Sequence, residues 1–270
     1  MYIDFHTHAF PDTIADRAIN KLENTIMTSG YPDPEKAVTR GTIGELRDIM
    51  KKCSIDKCVL LPIATKPSQQ TNVNNWAAEQ MDDTIISFGS VHPDAEDFEQ
   101  ELERIKSLGL KGVKLHPDYQ DFLANEDKVM PVYKKCAELG LPVILHAGLD
   151  ALSLNLIHCT PQMSSDILEK VPGLTLILAH LGGNCCWDDV EKYLVGKNVY
   201  FDTAFIAGGI THEQAKRIFL NHGIDKILFA SDCPWHLPST EIEFIDNLGL
   251  SREQIDMICY KNAERLIYNT

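Results

Sequence analysis

Eight short apolar runs, each followed by a stretch with helical spacing, constrain this chain more than any other feature. The runs cover residues 2–8, 57–62, 85–91, 112–116, 142–146, 174–180, 198–203 and 227–232. They are apolar along their length, as strands of a parallel sheet covered on both faces must be. Helical spacing occupies 12–27, 42–52, 74–82, 95–108, 127–139, 164–171, 187–194 and 211–221, and 239–248 and 251–268 close the chain. Thr42 followed by Glu45 is a capping-box pair, Gly109 and Gly140 stop helices, and Pro62 and Pro117 stop strands. Residues 30–34 read as a loop. Eight βα units in 270 residues predict an α/β fold, a closed (β/α)8 TIM barrel. We expect one domain over 1–270, with 9–56 inserted as helices and loop after the first strand. An open doubly wound sheet is the alternative. It calls for a glycine-rich phosphate turn after strand one, where His6-Thr7-His8 stands instead.

In a barrel the carboxyl ends of the strands share one rim, and that rim hosts active sites. Ligand-type residues collect there. His6 and His8 end strand one, His92 follows strand three, and Lys114 and His116 end strand four. His146 ends strand five, His180 strand six, Asp202 lies on strand seven, and Asp232 ends strand eight. Side chains alternate along a strand, so His6 and His8 are expected on one face, away from Ile3 and Phe5, with Asp4 below them. Closure makes strands one and eight neighbours, which brings Asp232 to the two histidines, with His146 across the mouth. Three imidazoles and a carboxylate suit a borderline divalent cation such as zinc, with a position left for water. We therefore assign His6, His8, His146 and Asp232 as metal ligands, with zinc first and manganese, iron or cobalt as alternatives.

His180 suits proton transfer, since an imidazole titrates near working pH; a fifth ligand or a packing role is its alternative. Lys114 and His116 are the expected donors to a substrate carboxylate or carbonyl. A carbamylated Lys114 bridging a second metal, or a plain salt bridge, is the other reading of that lysine. Trp235 stands where a substrate wall belongs. Asp202 is a candidate for holding one imidazole tautomer. His92, before Pro93, reads as structural, and the Cys185-Cys186 pair as burial at a helix start.

Composition narrows the function. A net charge of −14 argues against nucleic acid or an anionic membrane as a general partner, and no 18-residue apolar run occurs. The N-terminus lacks a secretory pattern and the eight cysteines form no CxxC pair, so a cytoplasmic protein with reduced thiols is expected. The partner expected is a small molecule, with a homodimer left open.

Several motifs carry a resemblance across nearly the whole chain. They are His6-Thr7-His8, Gly112-Val113-Lys114-Leu115-His116-Pro117, Leu145-His146, Ala179-His180-Leu181-Gly182-Gly183, Ser231-Asp232-Cys233-Pro234-Trp235 and Asn262-Ala263-Glu264-Arg265-Leu266. The set resembles the amidohydrolase superfamily, and most of all its amidohydrolase-2 branch, which includes aminocarboxymuconate-semialdehyde decarboxylase-like enzymes. The resemblance implies one metal, usually zinc, on residues matching His6, His8, His146 and Asp232, and an acid/base histidine matching His180. It implies either hydrolysis of a carbonyl compound or non-oxidative decarboxylation of an aromatic or unsaturated acid. No rim arginine for a substrate carboxylate is evident, so metal-assisted hydrolysis is the leading expectation. There the cation lowers the pKa of its water toward ~7, Asp232 takes the proton, and His180 polarises the carbonyl. The segments 9–42 and 148–161 would shape or cover the pocket. A TatD-type nuclease on the same barrel is the least favoured reading, given the acidic balance.

Overall fold

Eight parallel strands follow one another in space as they do in sequence: β1 (Ile3–Thr7), β2 (Lys57–Leu60), β3 (Ile85–Ser87), β4 (Val113–Leu115), β5 (Val143–Leu145), β6 (Leu176–Leu178), β7 (Tyr200–Asp202) and β8 (Ile227–Leu228). The structure, a computed structural model, describes residues 1–31 and 36–268; most of the loop expected at 30–34 lies outside the described residues. Between β1 and β2 come α1 (Asp12–Ser29) and α2 (Ile43–Lys52). Then follow α3 (Gln70–Glu79), α4 (Phe98–Ser107), α5 (Pro117–Gln120), α6 (Met130–Leu139), α7 (Pro161–Lys170), α8 (Trp187–Tyr193) and α9 (His212–His222). The chain closes with α10 (Pro238–Asp246), α11 (Arg252–Asp256) and α12 (Asn262–Tyr268).

Regular pairing gives a three-stranded sheet, β1-β2-β3, and a five-stranded sheet, β4 to β8. Two seams join them. Gly89 bridges Val113 between β3 and β4, and Thr7 bridges Cys233 between β1 and the segment after β8. At the second seam Phe5 N–H donates to Phe229 O (2.8 Å), Asp232 N–H to His6 O (2.9 Å) and His8 N–H to Cys233 O (2.7 Å). The ring of eight strands is the (β/α)8 barrel that the alternation predicts.

Two apolar layers follow from strand alternation. Cys58, Leu60, Val113, Leu115, Val143 and Leu145 pack outward against helix residues such as Leu46, Leu102 and Cys136. Ile3, Phe5, Val59, Ile86, Ile144, Ile177 and Leu228 form the inner cluster. Each such side chain, taken fully out of water, contributes about 1.5–3 kcal/mol.

Local chemistry explains the helix starts. Thr42 Oγ1 accepts from Glu45 N–H (3.2 Å) while Glu45 Oε2 accepts from Thr42 N–H (3.1 Å), the reciprocal cap that the sequence predicts for α2. α7 begins three residues before the predicted start, because Thr160 caps Met163 N–H and Pro161 fits the first turn. The predicted helix over 251–268 is instead α11 and α12 joined by a π-helical turn, Met257–Lys261. Among the described residues no helix is long and apolar enough to cross a membrane, and all eight cysteines are free.

One irregularity in β1 decides where the first histidines point. Asp4 pairs with Cys58, but Thr7 pairs with Leu60, so β1 has one more residue than β2 over this stretch. Cys58 and Leu60 both face the helices. Asp4 and Thr7 therefore face outward, and the bulge places Phe5 and His6 together on the inner side. The sequence expectation that Asp4 lies below His6 on one face does not hold; the extra residue resets the alternation between them.

Candidate metal centre

His6, His8 and Asp232 bring three ligand atoms within 4.8 Å of one another at the seam between β1 and β8. His6 Nδ1 lies 2.8 Å from Asp202 Oδ2. Oδ1 of the same Asp202 accepts from His180 N–H (2.9 Å) and Ala204 N–H (3.0 Å), donors that suit an ionised carboxylate. His6 therefore carries its proton on Nδ1. His8 Nδ1 donates to Leu61 O at 2.8 Å, and a carbonyl only accepts. Both Nε2 atoms are then lone-pair bearers, and they stand 3.1 Å apart. Asp232 Oδ1 lies 3.4 Å from the first and 3.3 Å from the second. Burial, with nearby Lys114 adding to it, holds His6 well below the usual imidazole range, so a second proton does not resolve the crowding at neutral pH. A divalent cation at about 2.0–2.2 Å from each atom does. The donor set fits one.

Asp232 reaches this position with φ +70°, and His180 holds φ +58°. Left-handed backbone at a non-glycine residue costs on the order of 1–3 kcal/mol and clusters at functional sites.

Lys114 occupies the inner face of β4, in register with Ile144 of β5, which pairs with Ile177 of β6. Among the described residues it is the only buried lysine or arginine. Its Nζ stands 3.2 Å from His6 Nε2. Burial lowers this ammonium to about 8.

A second group lies beside the first. His116, His146 and Asp150 also place three ligand atoms within 4.8 Å of one another. The rings of His116 and His146 stack at 4.3 Å between centroids, and Asp150 Oδ2 is 3.7 Å from Nε2 of each. Burial, then the neighbouring Asp118, pushes the Asp150 carboxyl up to about 7. Burial holds both imidazoles well below their usual range. His180 sits between the groups. Its Nδ1 donates to Ala204 O (2.8 Å), which leaves Nε2 to accept from His146 Nδ1 (3.0 Å).

The residues singled out in the sequence divide accordingly. His6, His8 and Asp232 meet, and Asp202 holds the His6 tautomer. His146, the fourth expected ligand, is not a member of that trio, because its Nδ1 is turned to His180 and its ring is stacked on His116. Lys114 reaches the trio; His116 belongs to the second group. Trp235 is half-buried after β8, and its backbone N–H donates to Asp232 O (2.8 Å). His92 Nδ1 accepts from Asp94 N–H (3.2 Å), a local structural contact. Asp118 and Asp150 were not singled out. Their signal was spacing alone: each follows a strand-end histidine, by two and by four residues.

Comparison with known proteins places this geometry in context. A family model described as amidohydrolase matches residues 3–267. No curated protein matches the sequence. Among solved structures, the 5-carboxyvanillate decarboxylase of Novosphingobium aromaticivorans, complexed with manganese and 4-hydroxy-3-methoxy-5-nitrobenzoic acid, is similar with TM-score 0.75 at 18% identity, covering 99% of this chain and 96% of that one. The 2,6-dihydroxybenzoate decarboxylase from Rhizobium is similar with TM-score 0.69 at 17% identity over 98% of each chain. A TIM-barrel protein from Bordetella bronchiseptica gives TM-score 0.73 at 19% identity, covering 98% of this chain and 97% of that one. At these identities the likeness is one of fold.

Proposed function

The chain belongs to the amidohydrolase family, and from that premise we propose that it is a metal-dependent carboxy-lyase that removes CO2 from a small aromatic or unsaturated acid. One observation carries this reading over hydrolysis, the leading expectation from sequence: the buried ammonium of Lys114, 3.2 Å from His6 Nε2. A rim arginine is absent from the sequence motifs, but a buried lysine beside the ligand trio supplies the cation that a substrate carboxylate needs, and at lower dielectric than a rim would. The decarboxylases that share the fold support the same choice.

In this reading His6, His8 and Asp232 hold the cation. Bound there, it supplies Lewis acidity to the substrate oxygens. Lys114 pairs with the carboxylate. Trp235 walls the ring. A proton from solvent taken up at the bare Nε2 of His146 would charge the His146–His180 pair, joined across 3.0 Å, and that extra proton goes to the carbon that loses CO2, leaving both rings neutral. The C–C bond electrons stay on that carbon and take up the proton, and the proton is replaced from solvent. Hydrolysis is the second reading. It is favoured by Asp232, whose carboxylate stands beside both Nε2 atoms as a base would.

Metal-loaded protein incubated with hydroxybenzoic acids, unsaturated acids, lactones and amides separates the two. We expect CO2 release from an acid, abolished by chelator and restored by manganese or zinc. Acid release from lactones or amides with no CO2 from any acid would sink the carboxy-lyase reading in favour of hydrolysis.

A further inference from the structure

We propose that Tyr31, carried to the mouth by the insertion between β1 and β2, is a specificity-determining residue: its hydroxyl donates to a second oxygen of the substrate, so that an acid bearing a hydroxyl, methoxy or further carboxylate group is taken over the bare acid. The inference deepens the carboxy-lyase reading and rests on it.

α1 delivers the residue. The helix ends at Gly30, whose φ of +85° turns the chain, and a Cβ there would stand 3.9 Å from Leu154 on the loop after β5. Ser29 Oγ accepts from Tyr31 N–H (3.1 Å) and holds the turn. The phenol then meets Asn184, on the loop after β6. Asn184 Nδ2 lies 2.8 Å from Tyr31 Oη and 2.9 Å from Leu149 O. A carbonyl only accepts, so the amide presents its NH2 on this side, and its two hydrogens go one to each oxygen. The Asn184 backbone is fixed as well, its N–H on Ala147 O and its O on Leu149 N–H, both at 2.9 Å. Ala147 and Leu149 lie between His146 and Asp150 in the chain, so the phenol is pinned at the mouth.

A hydroxyl that accepts from Asn184 keeps its own proton for another partner. Cys185 Sγ hydrogen-bonds the same hydroxyl, and sulfur is a weak acceptor that yields to an oxygen. Burial, with the charges of Asp150 and Asp232 adding to it, raises Tyr31 to about 12, so the proton stays on at neutral pH. The influence of those two carboxylates also locates the phenol, since Asp232 belongs to the ligand trio and Asp150 to the group beside it. A neutral donor in these surroundings suits the far end of an anion whose carboxylate pairs with Lys114. A site that donates to a substrate oxygen discriminates against the analogue lacking it, because the donor is then left unpaired.

Isothermal titration of the metal-loaded, full-length protein tests this. The probes are benzoate against its hydroxy, methoxy and carboxy derivatives, and sorbate against the matching dicarboxylate. We expect the wild type to bind at least one derivative about 10-fold more tightly than its parent. Tyr31→Phe, which keeps the ring, should lose that preference to within about twofold, while the parent, lacking the second oxygen, binds both proteins alike. Asn184→Asp should lose the preference likewise, since its carboxylate draws the phenol proton to itself, and it serves if Tyr31→Phe does not fold by circular dichroism. No preference in the wild type, a preference retained in folded Tyr31→Phe, or parent and derivative weakened alike would each overturn the inference and leave the carboxy-lyase reading standing. Hydrolysis of lactones or amides with no acid bound would sink both.

Discussion

Asp202 never points at the open mouth, yet it fixes which nitrogen of His6 faces inward. Replacing it with asparagine lets the His6 proton move to Nε2 and removes the charge behind the ring. Loss of such a supporting partner costs about 10–100-fold in metal affinity, and we expect that drop for Asp202→Asn in a chelator-competition titration. His180 has a different role. His180→Gln should lower turnover by about 10²–10⁴-fold while leaving the cation of the first trio in place, measured as kcat alongside metal content. The strand-end imidazoles were legible in the sequence because a strand delivers its last residues to a known rim. Asp150 was not. It sits on a loop, and loop placement depends on contacts such as Ser153 and His158 with Asp118, which no local pattern announces.

At the level of elements, alternation, caps and stops were enough to find every strand and the helix after it. The apolar runs overstate strand length, since pairing ends where the chain turns toward the mouth. Most ligand atoms therefore come from residues just beyond the regular strands. The bulge in β1 was invisible, because an extra residue in a register shows only when a partner strand is in place. The loops after β5 and β6 are tied together where Gly148 bridges Asn184: Leu149 N–H donates to Asn184 O (2.9 Å) and Asn184 N–H to Ala147 O (2.9 Å). Gly148 has φ +89°, and a Cβ there would collide with the Asn184 backbone. Gly148→Ala should cost at least about 1–3 kcal/mol, lowering Tm by about 2–12 °C in calorimetry.

Across the whole molecule, burial sets the pH response of the metal-free protein. It raises Glu241 to about 7 although His236 Nδ1 donates to it at 2.6 Å, and it raises Asp4 to about 7. An acid raised above its unfolded value of ~4 stabilises the fold while protonated and loses that stabilisation as pH climbs through about 7. Burial also lowers His222 to about 4; that group stabilises the fold above ~6.5 and loses the effect as pH falls. The two acids therefore lower stability as pH rises from ~4 to about 7 and add nothing further above that, and His222 offsets one of them between about 4 and ~6.5. Glu241→Gln should make melting temperature fall less between pH 4.5 and 7, and an unchanged fall over that range would exclude Glu241 as a source of it. One further consequence lies in the seam between β1 and β8. His6 and His8 stand on one bank of it and Asp232 on the other, so whatever ion they grip also acts as a clasp on the hoop of strands. Chelation should then quicken amide exchange first at Phe5 and His8, the stitches between the two ends, before the far side of the ring loosens.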